Sequence, residues 1–171
     1  MKRTKRNIYL IADTHFNHEK VKEYCNRPDN FEDLIWKGLN ELPKDCLLIH
    51  LGDICIGKDK EVHEKIRRLP YEKILVRGNH DKKSNTWYLN NGWDKVYYKY
   101  TIRDDNYLFY LTHRPLTEIE EYAINIHGHL HNKRDESLDI RNHILVSLEE
   151  LNYKPISLND LLIFHDVLKL S

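Results

Sequence analysis

The chain reads as an α/β protein, a sandwich with β-sheets packed inside helices. Three observations predict it. At 171 residues it suits one domain, because a second would leave two undersized cores. Strand-like and helix-like segments alternate through the first half, and the second half is richer in strand-like runs. The expected domain is 1–171, with 1–6 a flexible basic tail.

Ile8 to Ala12 is a short apolar run of strand formers. A polar stretch with Arg27-Pro28-Asp29 follows. Phe31, Leu34, Ile35, Leu39 and Leu42 recur at helical spacing, which predicts an amphipathic helix over 31–42 that Pro43 ends. Cys46 to Leu51 is a second strand, and Val62, Ile66 and Leu69 mark a second helix. Lys73 to Val76 is a third strand, and 84–91 is helical. Val96 to Ile102 and Tyr107 to Leu111 form a hairpin around Asp104-Asp105-Asn106. Helical turns are expected near 117–122, strands at Ile124–Ile126 and Ile144–Val146, and a last helix that Ser157 caps.

Composition excludes several function classes. Lys plus Arg and Asp plus Glu both number 27, a formal net charge of zero that argues against broad, charge-driven nucleic-acid binding. No stretch approaches the roughly 18 apolar residues of a membrane span, and the apolar run behind the basic start is too short for a signal peptide, so a cytoplasmic, membrane-free protein is expected. The three cysteines, Cys25, Cys46 and Cys55, form no Cys-x-x-Cys pair, which argues against a disulfide framework or a thiolate zinc site. The 11 histidines are numerous, and several adjoin Asp, Asn or Gly.

The polar residues fall at strand ends. Asp13-Thr14-His15 follows the first strand and Gly52-Asp53 the second. Gly78-Asn79-His80-Asp81 comes after the third. His113 follows the strand ending at Leu111, and Gly128-His129-Leu130-His131 follows the one ending at Ile126. Ligands in open α/β sheets bind beyond the carboxyl ends of strands, so these residues can converge on one rim. Asp13 and His15 are two apart, as are His129 and His131, and in extended chain such pairs point the same way. Carboxylate, imidazole and amide oxygen without thiolate suit Mn²⁺, Fe, Zn²⁺ or Ni²⁺. The set exceeds what one tetrahedral ion needs and suffices for two ions sharing a carboxylate, the usual clamp for phosphoryl transfer.

The ordered set Asp-x-His, Gly-Asp, Gly-Asn-His-Asp, His, Gly-His-x-His over 13–131 resembles the calcineurin-like metallophosphoesterase superfamily. The phrase Asp13 to His18 with Arg27-Pro28 downstream, and the segment Asn152 to Ser157, resemble a branch of short, single-domain members. The resemblance implies a β-sandwich of two mixed sheets flanked by helices. It implies that Asp13, His15 and His131 hold one metal, that Asn79, His113 and His129 hold a second, and that Asp53 bridges them. A bridging hydroxide would attack phosphorus. His80 would hold a substrate oxygen and protonate the leaving group, with Asp81 orienting it. Two departures stand out: Ile54-Cys55-Ile56 where many members carry another Asp, and Asn132 where many continue with Gly.

His18 is a candidate substrate contact, and Arg27 a candidate for bidentate phosphate binding. Arg77 and Arg114 adjoin ligands but are expected to point to solvent. His127 is assigned to its strand, His50 to packing and Cys55 to the core. The expected function is hydrolysis of a small phosphate ester with two divalent ions, Mn²⁺ first. A phosphodiester, such as a nucleotide derivative, ranks ahead of a phosphomonoester, and a polymeric nucleic acid comes third. The rivals from other classes are a non-catalytic metal-binding scaffold and a single-metal sensor.

Overall fold

The computed structural model describes residues 6–103 and 107–169. The expected tail at 1–5 and the expected turn at 104–106 lie outside the described residues. Arg6 is described and departs from the tail: it bonds the Asp45 carbonyl and the Glu72 carboxylate.

The elements run β1 (Ile8–Ile11), α1 (Lys20–Cys25), α2 (Phe31–Asn40), β2 (Leu47–His50), α3 (Asp59–Arg67), β3 (Glu72–Val76), α4 (Asn85–Asn90), β4 (Lys95–Tyr97), β5 (Lys99–Arg103), β6 (Leu108–Thr112), β7 (Ala123–His127), β8 (His143–Leu145), β9 (Ile156–Ser157) and α5 (Leu158–Lys169). They build two mixed sheets, ordered β4-β3-β2-β1-β9 and β5-β6-β7-β8. In the first, β1, β2, β3 and β4 are parallel and β9 is antiparallel to β1. In the second, β6, β7 and β8 are parallel and β5 is antiparallel to β6.

Side chains alternate across a strand, so a strand buried on both faces reads as an unbroken apolar run. Leu10, Ala12, Ile49, Leu51, Ile74 and Val76 face the second sheet, where Phe109, Leu111, Ile124, Ile126 and Ile144 meet them. Ile11, Leu48 and Leu75 take the other face, against Val21, Phe31, Ile35, Leu39, Val62 and Ile66 of the helices. Emptying a site such as Ile49, wholly buried, would cost about 2–5 kcal/mol. The last helix begins as expected: the Asp160 N–H donates to Ser157 Oγ at 3.0 Å, and that hydroxyl donates to Asp160 Oδ2 at 2.6 Å. No helix among the described residues is long and apolar enough to cross a membrane.

Three local expectations change. The run 96–102 divides at Tyr98: β4 pairs with β3 in one sheet, and β5 pairs with β6 in the other. Apolar alternation cannot show this, because it continues while the hydrogen-bond partner changes. The stretch 117–122 is not helical. The loop ahead of it is tied instead to the wholly buried Asn125, whose Oδ1 accepts from the Leu116 N–H at 2.8 Å. Within the polar stretch, α1 forms an unexpected short helix that buries Val21 and Cys25 and closes on Asn26 at φ 53°.

Candidate metal centre

Because β1, β2 and β3 are parallel, their carboxyl ends share one edge, and those of the parallel pair β6 and β7 share the facing one. Asp13, Asp53 and Asn79 leave the first sheet there, and His113, His129 and His131 leave the second. Their approach is not the extended one expected. Asp13 (φ 52°), His15 (φ 47°), Asp53 (φ 57°), His129 (φ 71°) and His131 (φ 55°) all occupy the left-handed region. Each such residue costs about 1–3 kcal/mol and persists only where its surroundings hold it. Here the Asp13 N–H donates to the Gly52 carbonyl at 3.0 Å and the His15 N–H to the Asp53 carbonyl at 3.1 Å. The His129 N–H donates to Asp13 Oδ2 at 2.7 Å, and the His80 N–H to Asp53 Oδ1 at 2.8 Å.

Two glycines are required by close approach. A Cβ on Gly78 would lie 2.1 Å from Asp53 Oδ1, and one on Gly128 would lie 2.5 Å from Asp13 Oδ2. Any side chain at either place would displace a carboxylate.

The side chains gather into two groups. Ligating atoms of Asp13, His15 and His131 lie within 4.8 Å of one another, as do those of Asp53, His113 and His129. Asn79 joins the second group, its Oδ1 3.0 Å from His113 Nε2. Asp53 stands between them: its Oδ2 is 3.3 Å from His113 Nε2 and 3.8 Å from His15 Nε2. All seven expected ligands therefore meet at one edge.

The chemistry of the donor set fits a cation. His113 Nδ1 lies 2.8 Å from the Leu51 carbonyl, which can only accept, so Nδ1 carries the hydrogen. In the neutral ring Nε2 then turns a lone pair toward Asn79 Oδ1, Asp53 Oδ2 and, at 3.1 Å, His129 Nδ1. Burial opposes a proton on His113, but Asp53 and Asp13 outweigh burial and raise its pKa, so the point attracts positive charge. Burial pushes His15 down to about 2 and leaves it neutral. Both of its ring nitrogens, and Asp13 Oδ1, are buried without a hydrogen-bond partner. Each such orphan costs about 1–3 kcal/mol, and a divalent ion would satisfy Asp13 Oδ1 and His15 Nε2, which lie 3.9 Å apart, together. Burial also pushes Asp13 up to about 6, the effect of placing anionic oxygen where only its neighbours can compensate it.

The remaining candidates divide. The His80 ring lies at the rim, 43% exposed, with Nε2 3.9 Å from Asp53 Oδ2. His18 stands beside it, its ring centroid 5.3 Å from that of His15 and 6.5 Å from that of His80. Asp81 does not orient His80. Its carboxylate accepts from the N–H groups of Gly78, Asp53 and Ile54 at 2.7, 2.9 and 3.1 Å, and so pins the two ligand turns together. Buried backbone donors need acceptors, and Asp81 supplies them.

Arg27 is buried and not placed to meet a substrate phosphate. Its Nε donates to Glu149 Oε1 at 2.8 Å, Nη1 to the Thr14 carbonyl at 3.1 Å and Nη2 to the Asp13 carbonyl at 2.8 Å. It braces the Asp13–His15 turn from behind. Glu149, which sequence reasoning missed, also lies 3.3 Å from His131 Nδ1. Nothing in Ser147-Leu148-Glu149-Glu150 distinguishes it from a solvated acidic pair.

His50 packs as expected: its Nδ1 accepts from the Gly52 N–H at 3.0 Å, and its Nε2 lies 3.0 Å from Thr14 Oγ1. His127 stays in β7, and Cys55 is buried, its thiol pushed up to about 12 by burial. Arg77 departs from expectation: it bonds protein groups rather than pointing to solvent.

The family model described as calcineurin-like phosphoesterase matches residues 6–168. The chain is 37% identical over 170 residues to the uncharacterized protein MJ1445 of Methanocaldococcus jannaschii, covering 90% of this chain and 88% of that one. Its fold is similar to the crystal structure of AQ665, a protein of unknown function from Aquifex aeolicus, with TM-score 0.75, 31% identity and coverage of 91% of this chain and 97% of that one. The match runs through every strand that ends at the candidate-ligand edge, and the chain belongs to the calcineurin-like phosphoesterases, metal-dependent hydrolases of phosphate esters.

Proposed function

We propose that the protein is a phosphodiesterase working with two divalent ions, Mn²⁺ first among them. Asp13, His15 and His131 would hold one ion, Asn79, His113 and His129 the other, and Asp53 would serve both. The observation that carries this reading is the placement of Asp53 Oδ2, 3.3 Å from His113 Nε2 and 3.8 Å from His15 Nε2. When bound, the two ions would lower the pKa of a water and polarise the phosphoryl oxygens.

The chain's own groups do the rest. Asp81 and Arg27 hold the ligand turns at fixed separation, so the phosphate meets a preorganised edge. The exposed ring of His80 reaches a substrate oxygen and delivers a proton to the departing alkoxide. His18, beside it, contacts the substrate on the same side. A cavity of about 380 Å³ opens beside Asn79 and His113. It offers room for the second substituent on phosphorus that a diester has and a monoester lacks.

Hydrolysis of bis(p-nitrophenyl) phosphate and p-nitrophenyl phosphate with Mn²⁺ tests the reading, since the leaving group is the same. The diester should be favoured in kcat/KM. The reverse preference would make the protein a monoesterase, and inertness toward both with metal bound would support the scaffold.

A further inference from the structure

The cavity beside the second ligand group has its own chemistry. It lies where the chain crosses from β4 to β5 and where β6 ends. Arg77, Asn79, Tyr98, Lys99, His113 and Arg114 line it. Three of these residues are cations and none is a carboxylate, in a chain whose net charge is zero.

The two arginines decide what it can take. Arg77 is well bonded, but only to neutral acceptors: Asn85 Oδ1 at 2.9 Å, the Tyr98 hydroxyl at 2.6 Å, and the Asp81 and Lys83 carbonyls. Its Nη donors are met, its Nε is buried without a partner, and only the ring faces of Tyr98 and Tyr88, 5.1 and 5.5 Å from its Cζ, answer its charge. Arg114 is exposed, and its Nη2 lies 3.4 Å from Asn79 Oδ1, again a neutral atom. Among the described residues, no carboxylate pairs with either. Lys99 weighs less, because its Nζ sits 3.7 Å from the Tyr110 ring centroid with Glu120 nearby.

The wall is also built to hold Arg114 in place. Thr112 Oγ1 donates to the Arg114 carbonyl at 2.6 Å. Asn125 Nδ2 donates to Thr112 Oγ1 at 2.9 Å and to the Tyr110 carbonyl at 2.8 Å, while its Oδ1 accepts from the Leu116 N–H. A guanidinium on a fixed backbone suits phosphate, which it can grip through paired N–H donors.

We propose that this cavity binds a second phosphate of the substrate, distinct from the one hydrolysed. The preferred substrate is then a mononucleotide-sized diester that carries a further phosphate. A volume of about 380 Å³ is near the small end of ligand pockets, roughly 300–1,000 Å³, and has room for one such group. The proposal rests on the phosphodiesterase reading and names its substrate class.

The test uses a matched pair, thymidine 5′-(p-nitrophenyl phosphate) and the same compound bearing a 3′-phosphate, with nitrophenolate release as the readout in the Mn²⁺-loaded protein. The 3′-phosphorylated compound should have a KM at least about tenfold lower, the worth of a charge-assisted contact. Arg114→Ala should bring the ratio of the two KM values close to one, and Arg114→Lys should restore part of it. Equal KM values in the unaltered protein, or an unchanged ratio in Arg114→Ala, would overturn the proposal.

Calorimetric titration with thymidine 3′,5′-bisphosphate and thymidine 5′-monophosphate reads the cavity without turnover. A bisphosphate preference that Arg114→Ala abolishes, in a protein that cleaves neither diester, would keep the cavity and remove the phosphodiesterase reading. Equal affinities would remove the cavity.

Discussion

Glu149 Oε1 lies 3.3 Å from His131 Nδ1 and 2.8 Å from Arg27 Nε, although 122 residues separate Arg27 from Glu149. Arg27 Nη2, a donor, is also 3.3 Å from Nδ1 but is already held by the Asp13 carbonyl and Glu149, whereas the carboxylate only accepts, so it favours the hydrogen on Nδ1 and leaves Nε2 for the centre. Losing such a partner typically costs about 10–100-fold in metal affinity. Glu149→Ala should therefore weaken the first ion by about that factor and leave the second near normal, with Glu149→Gln milder. Calorimetric Mn²⁺ titration of chelator-treated protein would show this. Unchanged affinities in both variants would remove Glu149 from the positioning of His131.

Asp81 takes three backbone N–H groups, those of Gly78, Asp53 and Ile54. Hydrogen bonds to a charged group are worth about 1.5–3 kcal/mol each, and the donors would be left buried. Asp81→Ala should therefore lower thermal stability by several kcal/mol, and Asp81→Asn by less. Differential scanning calorimetry would decide. A substitution that left the melting temperature unchanged but slowed turnover would return Asp81 to the orientation of His80.

His50 gives the pH dependence a sign. Burial depresses it from 6.5 to about 3, so the fold holds the ring neutral while the unfolded chain protonates it. Its contribution is complete above pH 6.5 and lost as pH falls toward 3, at most roughly 5 kcal/mol from the pKa difference. His50→Asn cannot titrate. The stability gap between the protein and this variant, from urea unfolding in chelator, should be widest above pH 7 and narrow toward pH 4. A gap that stays constant would contradict the account.

His80 separates enzyme from scaffold. Its ring is at the rim and outside both ligand groups, so His80→Ala should keep near-normal metal content. General-acid help contributes about 10²–10⁴-fold, so turnover should fall by at least about tenfold on an alkyl ester. The loss should shrink on a nitrophenyl ester, which needs little protonation. Equal loss on both would make His80 a positioning group.

The parts of the fold that were legible in the sequence are those written in local composition. Ile8–Ile11, Leu47–His50 and Glu72–Val76 are buried on both faces and read as apolar runs, and Ser157 announced its helix by its side chain. The candidate ligands were legible for a related reason, because each follows a strand and parallel strands end together. What was not legible depends on partners far along the chain. Arg27 looks like a phosphate clamp until Glu149 and the Thr14 carbonyl claim its donors. Asp81 looks like a partner for His80 until three buried N–H groups turn its carboxylate to the backbone. The switch at Tyr98 changes hydrogen-bond partners without changing the hydrophobic pattern. The left-handed backbone at Asp13, His15 and His129 is held by tertiary hydrogen bonds, which residue spacing does not encode.

The central claim is that hydrolysis depends on two ions held by the strand-end ligands. The most direct measurement is one titration: chelator-stripped protein receives Mn²⁺ in steps while hydrolysis of bis(p-nitrophenyl) phosphate is followed. The account predicts no turnover without metal and a rate that rises to a plateau at two ions per chain. Full turnover in the stripped protein, or a plateau at one ion, would contradict it.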